Sequence, residues 1–380
     1  MKILSNRSVR LALKKVLSKL YILETINSIR KKKYNKKISE CYKLTKKTGE
    51  LPLPVSMVYE PTAKCNLNCK MCFFNKELTY KTKDMPLPDL KNSFGKFSKN
   101  IKRVVLTGGE CFVRPDIFKI LDFFKKEGIM MHLTTNGTLI NEENINKIKN
   151  NKNITHVGIS IDGLGSLHNT IRRSTDAFGK AVNAIKILKQ NKIPVNIVCV
   201  ILKDNLDQLT EVVKLGHRLG VDAVFFELER IYDESDIKEV QDVLRIKRED
   251  IPLTPQNCNR GYPLEKLNRV LNGVERLGKE LKVEVHYYPN FLRTKLEGCY
   301  YRKNREPGKK YFCMALFDAR IDPAGNVVPC FAIREKIGNI KKNELKDIWN
   351  SEEFKDYRKT LLNNNLLKIC ETCLYMCEVK

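Results

Sequence analysis

Glu60-Pro-Thr-Ala-Lys-Cys65-Asn-Leu-Asn-Cys69-Lys-Met71-Cys72-Phe73 is the stretch on which the reading of this chain turns. The spacing C-x3-C-x2-C brings three thiolates into one short loop. Structural zinc sites need four ligands, and their cysteines usually come as C-x2-C pairs. A cubane iron–sulfur cluster has four irons. Three cysteines would leave one iron without a protein ligand, open to a small molecule. The residues before the triplet, Val55–Tyr59, read as a β-strand, so the loop sits at a strand's C-terminal end.

From there a strand–helix alternation runs along the chain. Strands are expected at Val104–Thr107, Ile129–Thr134, His156–Ile161, Pro194–Ile201 and Val221–Glu227. Helices are expected at Pro115–Lys126, Glu142–Lys149, Ala177–Gln190 and Leu206–Leu219. Alternation of this kind means a parallel sheet with helices outside. Six such strands make an α/β fold of the partial (β/α)6 TIM-like barrel type, with chemistry in the loops after the strands. Residues 231–290 read as a helical connector, with a short strand near Leu281–Tyr287. Residues 291–380 are cysteine-rich with little hydrophobic periodicity, a segment better held by metal than by a core. Residues 1–50 are basic and helical in pattern, with Val9, Leu13, Val16, Leu17 and Leu20 at helical spacing. We expect this segment to pack on the outside of the barrel domain, residues 51–230.

Composition bounds the rest. Hydrophobic residues make up 42% of the 380, as in a globular protein. No apolar run reaches eighteen residues, and no signal-peptide core is visible, so a cytoplasmic protein is expected. Thirteen cysteines without a secretion signal point to metal or redox chemistry and away from a disulfide framework. Cys199 lies in an apolar run and reads as a core residue. The net charge of +26 comes with lysines on nearly every helix and with an Asn- and Ile-rich composition. It therefore calls for no nucleic-acid partner. A weak contact with anionic membrane through the N-terminal basic segment stays open.

Several strand ends carry polar residues suited to a ligand. Thr107-Gly108-Gly109-Glu110 follows the second strand. Paired glycines admit a close approach to the backbone, and a carboxylate can take an ammonium group. The third and fourth strands end in Thr135-Asn136-Gly137 and Ser160-Ile161-Asp162-Gly163, with Arg172 and Arg173 in the loop beyond. Glu227 and Glu229 close the sixth strand on one face. Glu227 there either points at substrate or forms a surface ion pair with Arg230. In the tail, Arg320-Ile-Asp-Pro-Ala-Gly325-Asn-Val-Val-Pro-Cys330 is a hairpin that returns Cys330 towards Cys313. A C-x2-C-x3-C run, Cys370, Cys373 and Cys377, follows, and Cys299 precedes.

The triplet, the Gly-Gly-Glu run, Ser160–Gly163 and the cysteine-rich tail resemble, in that order, the radical SAM superfamily with a C-terminal SPASM-type extension. The resemblance covers roughly residues 52–378. It implies a 4Fe-4S cluster on Cys65, Cys69 and Cys72. That cluster would cleave S-adenosylmethionine to a 5′-deoxyadenosyl radical, which takes a hydrogen atom from substrate. Met71 and Phe73 would flank the adenine. Gly108, Gly109 and Glu110 would hold the methionine amino group. Ser160, Asn136, Asp162 and one of the two arginines, Arg172 by preference, would meet the ribose and carboxylate. For the tail it implies one auxiliary cluster on Cys313, Cys330, Cys370 and Cys373, with Cys299 and Cys377 as substitutes and zinc as the alternative metal. An auxiliary cluster there would accept an electron, bind substrate through an open iron, or be structural. A flavodoxin- or ferredoxin-type donor would supply electrons. Peptide or protein modification leads as the activity. Dehydrogenation or epimerisation of a sugar, aminoglycoside or lipid is the second expectation. A non-catalytic, zinc-stapled basic binding protein is the third.

Overall fold

The structure is a computed structural model of the chain, and it describes residues 28–72, 82–97, 100–251, 253, 260–371, 373 and 375–379. The expected amphipathic run Val9–Leu20, Phe73 and Cys258 lie outside the described residues.

Seven parallel strands form the centre. They are β1 (Ser56–Tyr59), β2 (Arg103–Leu106), β3 (Met130–Thr135), β4 (Ile154–Ser160), β5 (Val195–Ile201), β6 (Ala223–Leu228) and β7 (Glu284–Tyr288). Period-two alternation divides each strand between two faces. Met57, Tyr59, Val104, Leu106, Met131, Leu133, Ile197, Cys199, Val224 and Phe226 are buried under the helices. Val58, Val105, Thr134, Ser160, Val198, Val200 and Glu227 face a cavity on the concave side. Cys199 is thus the core residue its apolar run implied.

The expected helices form with small shifts at their ends. One that the sequence did not signal is the short helix Ser166–Arg172, hidden between Gly163 and Gly165 on one side and a left-handed Arg173 (φ 51°) on the other. Another is Leu87–Phe97, which seats Leu90 and Phe94 in the core.

The sheet crosses the domain boundaries drawn at residues 230 and 290. The strand expected inside the connector, β7, pairs in parallel with β6 as a seventh barrel strand. At the other edge, β9 (Asp318–Ile321) from the tail pairs in parallel with β1, registering Ser56 with Asp318 and Tyr59 with Ile321. β10 (Asn326–Val328) folds back on β9 through the expected turn. Asp322 Oδ1 accepts from the N–H groups of Ala324 and Asn326, and Gly325 takes φ +88°. β11 (Gly338–Asn339) is the far edge of an open ten-stranded sheet.

The tail also has more core than its sequence suggested. Helix Glu352–Asn363, capped by Ser351, buries Phe354, Tyr357, Leu361 and Leu362. The N-terminal helix Ser28–Thr48 packs chiefly on this helix and on β12 (Met376–Val379), both in the tail. Ile38, Tyr42 and Thr45, one turn apart, are its buried face, and Tyr42 meets Phe312 edge-on at 6.5 Å. Gly49 and Pro52 then anchor through their carbonyls to Arg358 Nη1 and Trp349 Nε1.

Candidate active site

The cysteine loop is fastened to the ends of three strands. Backbone N–H groups of Gly109 and Glu110 donate to the carbonyls of Thr62 and Lys64 at 3.1 and 2.9 Å. A Cβ on Gly109 would stand 2.2 Å from the Lys64 oxygen, so no side chain is tolerated there. The paired glycines admit the cysteine loop, and both also line the cavity. On the other flank, Asn136 Nδ2 donates to Asn66 Oδ1, and Asn66 Nδ2 donates to Thr138 Oγ1, both at 2.9 Å. Lys70 N–H donates to Ile171 O in the short helix, at 2.9 Å.

Cys65, Cys69, Met71 and Cys72 line a cavity of about 630 Å³, within the range of small-molecule sites. Burial raises the thiol pKa of Cys65 and Cys69. Arg172 opposes this at Cys69, with Nη1 3.7 Å from Sγ. Arg172 is the arginine that faces the site, whereas Arg173 is exposed beyond the helix end. Its Nε donates to Asp162 Oδ2 at 2.6 Å. Asp162 itself is fully buried behind the wall, with Oδ1 taken by the Val200 N–H at 2.9 Å. Placing Asp162 against the cofactor is thereby corrected: both of its oxygens are spent on protein, and it aims Arg172.

Glu110 lines the cavity with a buried carboxylate that accepts from Thr135 Oγ1, Asn136 N–H and Phe112 N–H at 2.7, 2.7 and 3.1 Å. Burial still raises its pKa. Oε1 takes the Thr135 and Phe112 donors, whereas Oε2 takes only the Asn136 N–H and keeps an acceptor direction for a ligand ammonium. Ser160 lines the same wall with no side-chain hydrogen bond among the described residues. Asn136 also lines it, with Oδ1 taken by Thr138. Glu227 faces the cavity and pairs with Arg230 at 3.6 Å.

The sequence reading missed the opposite wall. Glu60, one step past β1, accepts from Arg320 Nη1 at 2.9 Å and from Arg334 Nη1 at 2.7 Å. Burial alone would raise Glu60; the two guanidiniums outweigh it and hold its carboxyl below the usual range. All three line the cavity, so the tail closes the site over the barrel. The signal available was the placement of Glu60 in phase with Val58 on the cavity face.

Cys313, Cys330, Cys370 and Cys373 meet in a separate apolar pocket with Leu316, Tyr357 and Met376. Burial raises Cys313, and the other three thiols raise it further. Cys299 and Cys377 do not line this pocket, which corrects their listing as substitute ligands. Cys299 is buried elsewhere, its Sγ accepting from Asn304 Nδ2 at 3.3 Å, and Cys377 is held in β12 opposite Phe312. Among the described residues no three His, Cys, Asp or Glu side chains close around a single ion. The donor sets are all-thiolate, which suits iron–sulfur chemistry.

Comparison with known proteins decides between the expectations. Residues 59–216 match the model of the radical SAM superfamily, and residues 313–374 match that of SPASM, an iron–sulfur cluster-binding domain. The chain is a radical SAM enzyme with a SPASM domain. It uses a 4Fe-4S cluster, S-adenosylmethionine and an auxiliary cluster. The reading as a non-catalytic zinc-stapled protein falls. An AdoMet-dependent heme synthase of Methanosarcina barkeri is 27% identical over 85% of this chain and 89% of its own. A PqqA peptide cyclase of Bradyrhizobium diazoefficiens is 23% identical over 84% and 79%. The crystal structure of Streptococcus suis SuiB bound to S-adenosylmethionine superposes with a TM-score of 0.63 at 17% identity, covering 97% of this chain and 82% of the other. That last likeness supports the partial-barrel fold.

Proposed function

We propose that this radical SAM enzyme takes a hydrogen atom from a peptide substrate held in the barrel cavity. The observation that carries the reading is one continuous cavity, running from the three-cysteine loop to the Phe331 and Tyr375 wall of the tail pocket. When loaded, a cluster on Cys65, Cys69 and Cys72 supplies the electron that splits S-adenosylmethionine. Glu110 takes the methionine ammonium, and Ser160 and Asn136 offer hydrogen bonds to the ribose. Arg172, aimed by Asp162, meets the carboxylate. Met71, which lines the cavity, flanks the adenine. Glu227, across the cavity, orients the substrate or receives its proton. In the tail, Cys313, Cys330, Cys370 and Cys373 would hold the auxiliary cluster, and four thiolates would favour electron acceptance over direct substrate ligation. The domain plan of 1–50, 51–230, 231–290 and 291–380 is kept as a description of sequence, with β7 and β9 shared across it.

Peptide modification is favoured by the PqqA peptide cyclase likeness across both domains. The heme synthase likeness, over most of both chains, favours a second reading, in which the substrate is a tetrapyrrole. A flavodoxin- or ferredoxin-type donor suits the net charge of +26, which would steer an acidic carrier. No helix among the described residues is long and apolar enough to cross a membrane, and weak surface contact through the basic N-terminal segment stays part of the proposal. The test is anaerobic turnover with deuterated candidate peptides and, separately, deuterated tetrapyrroles. Deuterium in 5′-deoxyadenosine from a peptide supports the first reading. Transfer from tetrapyrrole alone replaces it with the second.

A further inference from the structure

The partition between the two cysteine sites is one side chain thick. Phe331, next to Cys330, lines both the barrel cavity and the four-thiol pocket. Tyr375 also lines both, and its N–H lies 3.5 Å from Cys373 Sγ. On the cavity side Arg230 stacks on Phe331, with Cζ 4.4 Å from the ring centroid. The same guanidinium faces Glu227 at 3.6 Å. A cavity carboxylate, a cation, an aromatic ring and the tail thiols therefore follow one another in line. Charges in such a poorly solvated wall act over longer distances than they would in water.

We propose that Arg230 is a positioning residue that transmits the content of the barrel cavity to the redox poise of the four-cysteine site. The inference rests on those four thiols being the seat of the auxiliary cluster. One-electron reduction adds a negative charge to the group held there. A guanidinium behind Phe331 stabilises that charge, and Glu227 partly cancels the guanidinium. A substrate that engages Glu227 leaves Arg230 less compensated and makes the site a better electron acceptor. An empty cavity keeps it a poorer one.

The test is an EPR-monitored redox titration in the Cys65→Ala/Cys69→Ala/Cys72→Ala protein, where the tail cluster alone responds. Arg230→Met should shift its midpoint down, and Arg230→Lys should restore part of the shift. Glu227→Gln should move it up. Glu249→Gln, which removes a charge at the exposed rim of the same cavity, should leave it in place. Unmoved midpoints in Arg230→Met and Glu227→Gln overturn the inference. So does an equal shift from Glu249→Gln, which would mean a general field. If Arg230→Met loses its iron, Glu227→Gln alone decides. Iron of about four per chain in the background protein reports separately on the seat. Its absence overturns that reading and the inference with it, whereas iron present with unmoved midpoints overturns the inference alone.

Discussion

Cys65, Cys69 and Cys72 come from eight consecutive residues and face a cavity lined by charges. Cys313, Cys330, Cys370 and Cys373 come from three separate stretches and face one another across an apolar pocket. The first site is set by a local loop that opens on the cavity. The second exists only after β8 (Lys310–Cys313), the hairpin and the last helices have packed, and it brings four thiols to one pocket. If the proposed roles hold, reactivity is paired with local construction, and electron storage with construction by the fold.

The largest expected effect breaks the pairing outright. Changing Cys65, Cys69 and Cys72 to Ala should abolish 5′-deoxyadenosine formation and lower iron from about eight to about four per chain. Residual cleavage in that protein would show that the loop is not the reactive site. Gly109→Ala should come next, because its methyl would collide with the Lys64 carbonyl. A loop displaced by about 1 Å should cost roughly 100-fold in turnover, while the tail cluster's EPR signal stays intact. For the fold-built site, Cys370→Ala should lose the tail iron and lower the melting temperature together, since the ligands also staple the packing. A protein that loses iron but melts unchanged would separate the metal from the fold.

The wall that aims Arg172 should respond to acid. His168 is buried, and its Nδ1 accepts from the Asp162 N–H at 3.1 Å. Burial first, then Arg172, lowers its pKa to about 4. The unfolded chain therefore binds the extra proton between pH 6.5 and 4, and stability falls as pH falls through that window. The loss attributable to His168 should be at most about 3 kcal/mol, measured as the difference in pH dependence between the wild type and His168→Gln. Smallest of all, Cys299→Ser and Cys377→Ser should leave iron unchanged and cost about 1 kcal/mol in denaturant melts. Iron lost from either would bring that thiol back into the ligand set.

What the sequence made legible divides along the same line. The triplet, the glycine pair, the hairpin at Gly325 and the strand phases are local, and each follows from a few neighbouring residues. The pairing of β9 with β1 and the docking of the N-terminal helix on the tail join residues some 260 to 300 apart, where periodicity is silent. The choice between Arg172 and Arg173 depends on where a seven-residue helix stops, which Gly163 and Gly165 made look like loop. Gly108, Gly109 and Glu110 all line the cavity, but that Gly109 also makes room for the cysteine loop depends on the Lys64 carbonyl, which spacing does not show. Tail core positions Phe354, Tyr357 and Leu361 have helical spacing, masked by the six charged residues from Glu352 to Lys359 that sit among them.

The pairing of β9 with β1 has a consequence for biosynthesis. The first barrel strand leaves the ribosome with one neighbour, β2, close behind and the other about 260 residues away. At roughly 5–20 residues per second, that edge stays open for about 13–52 seconds. An unpaired parallel edge beside unmetallated thiols invites aggregation. A nascent chain halted before residue 318 would keep it open indefinitely. Chaperone capture of this protein should therefore concentrate on β1 and end when the hairpin emerges.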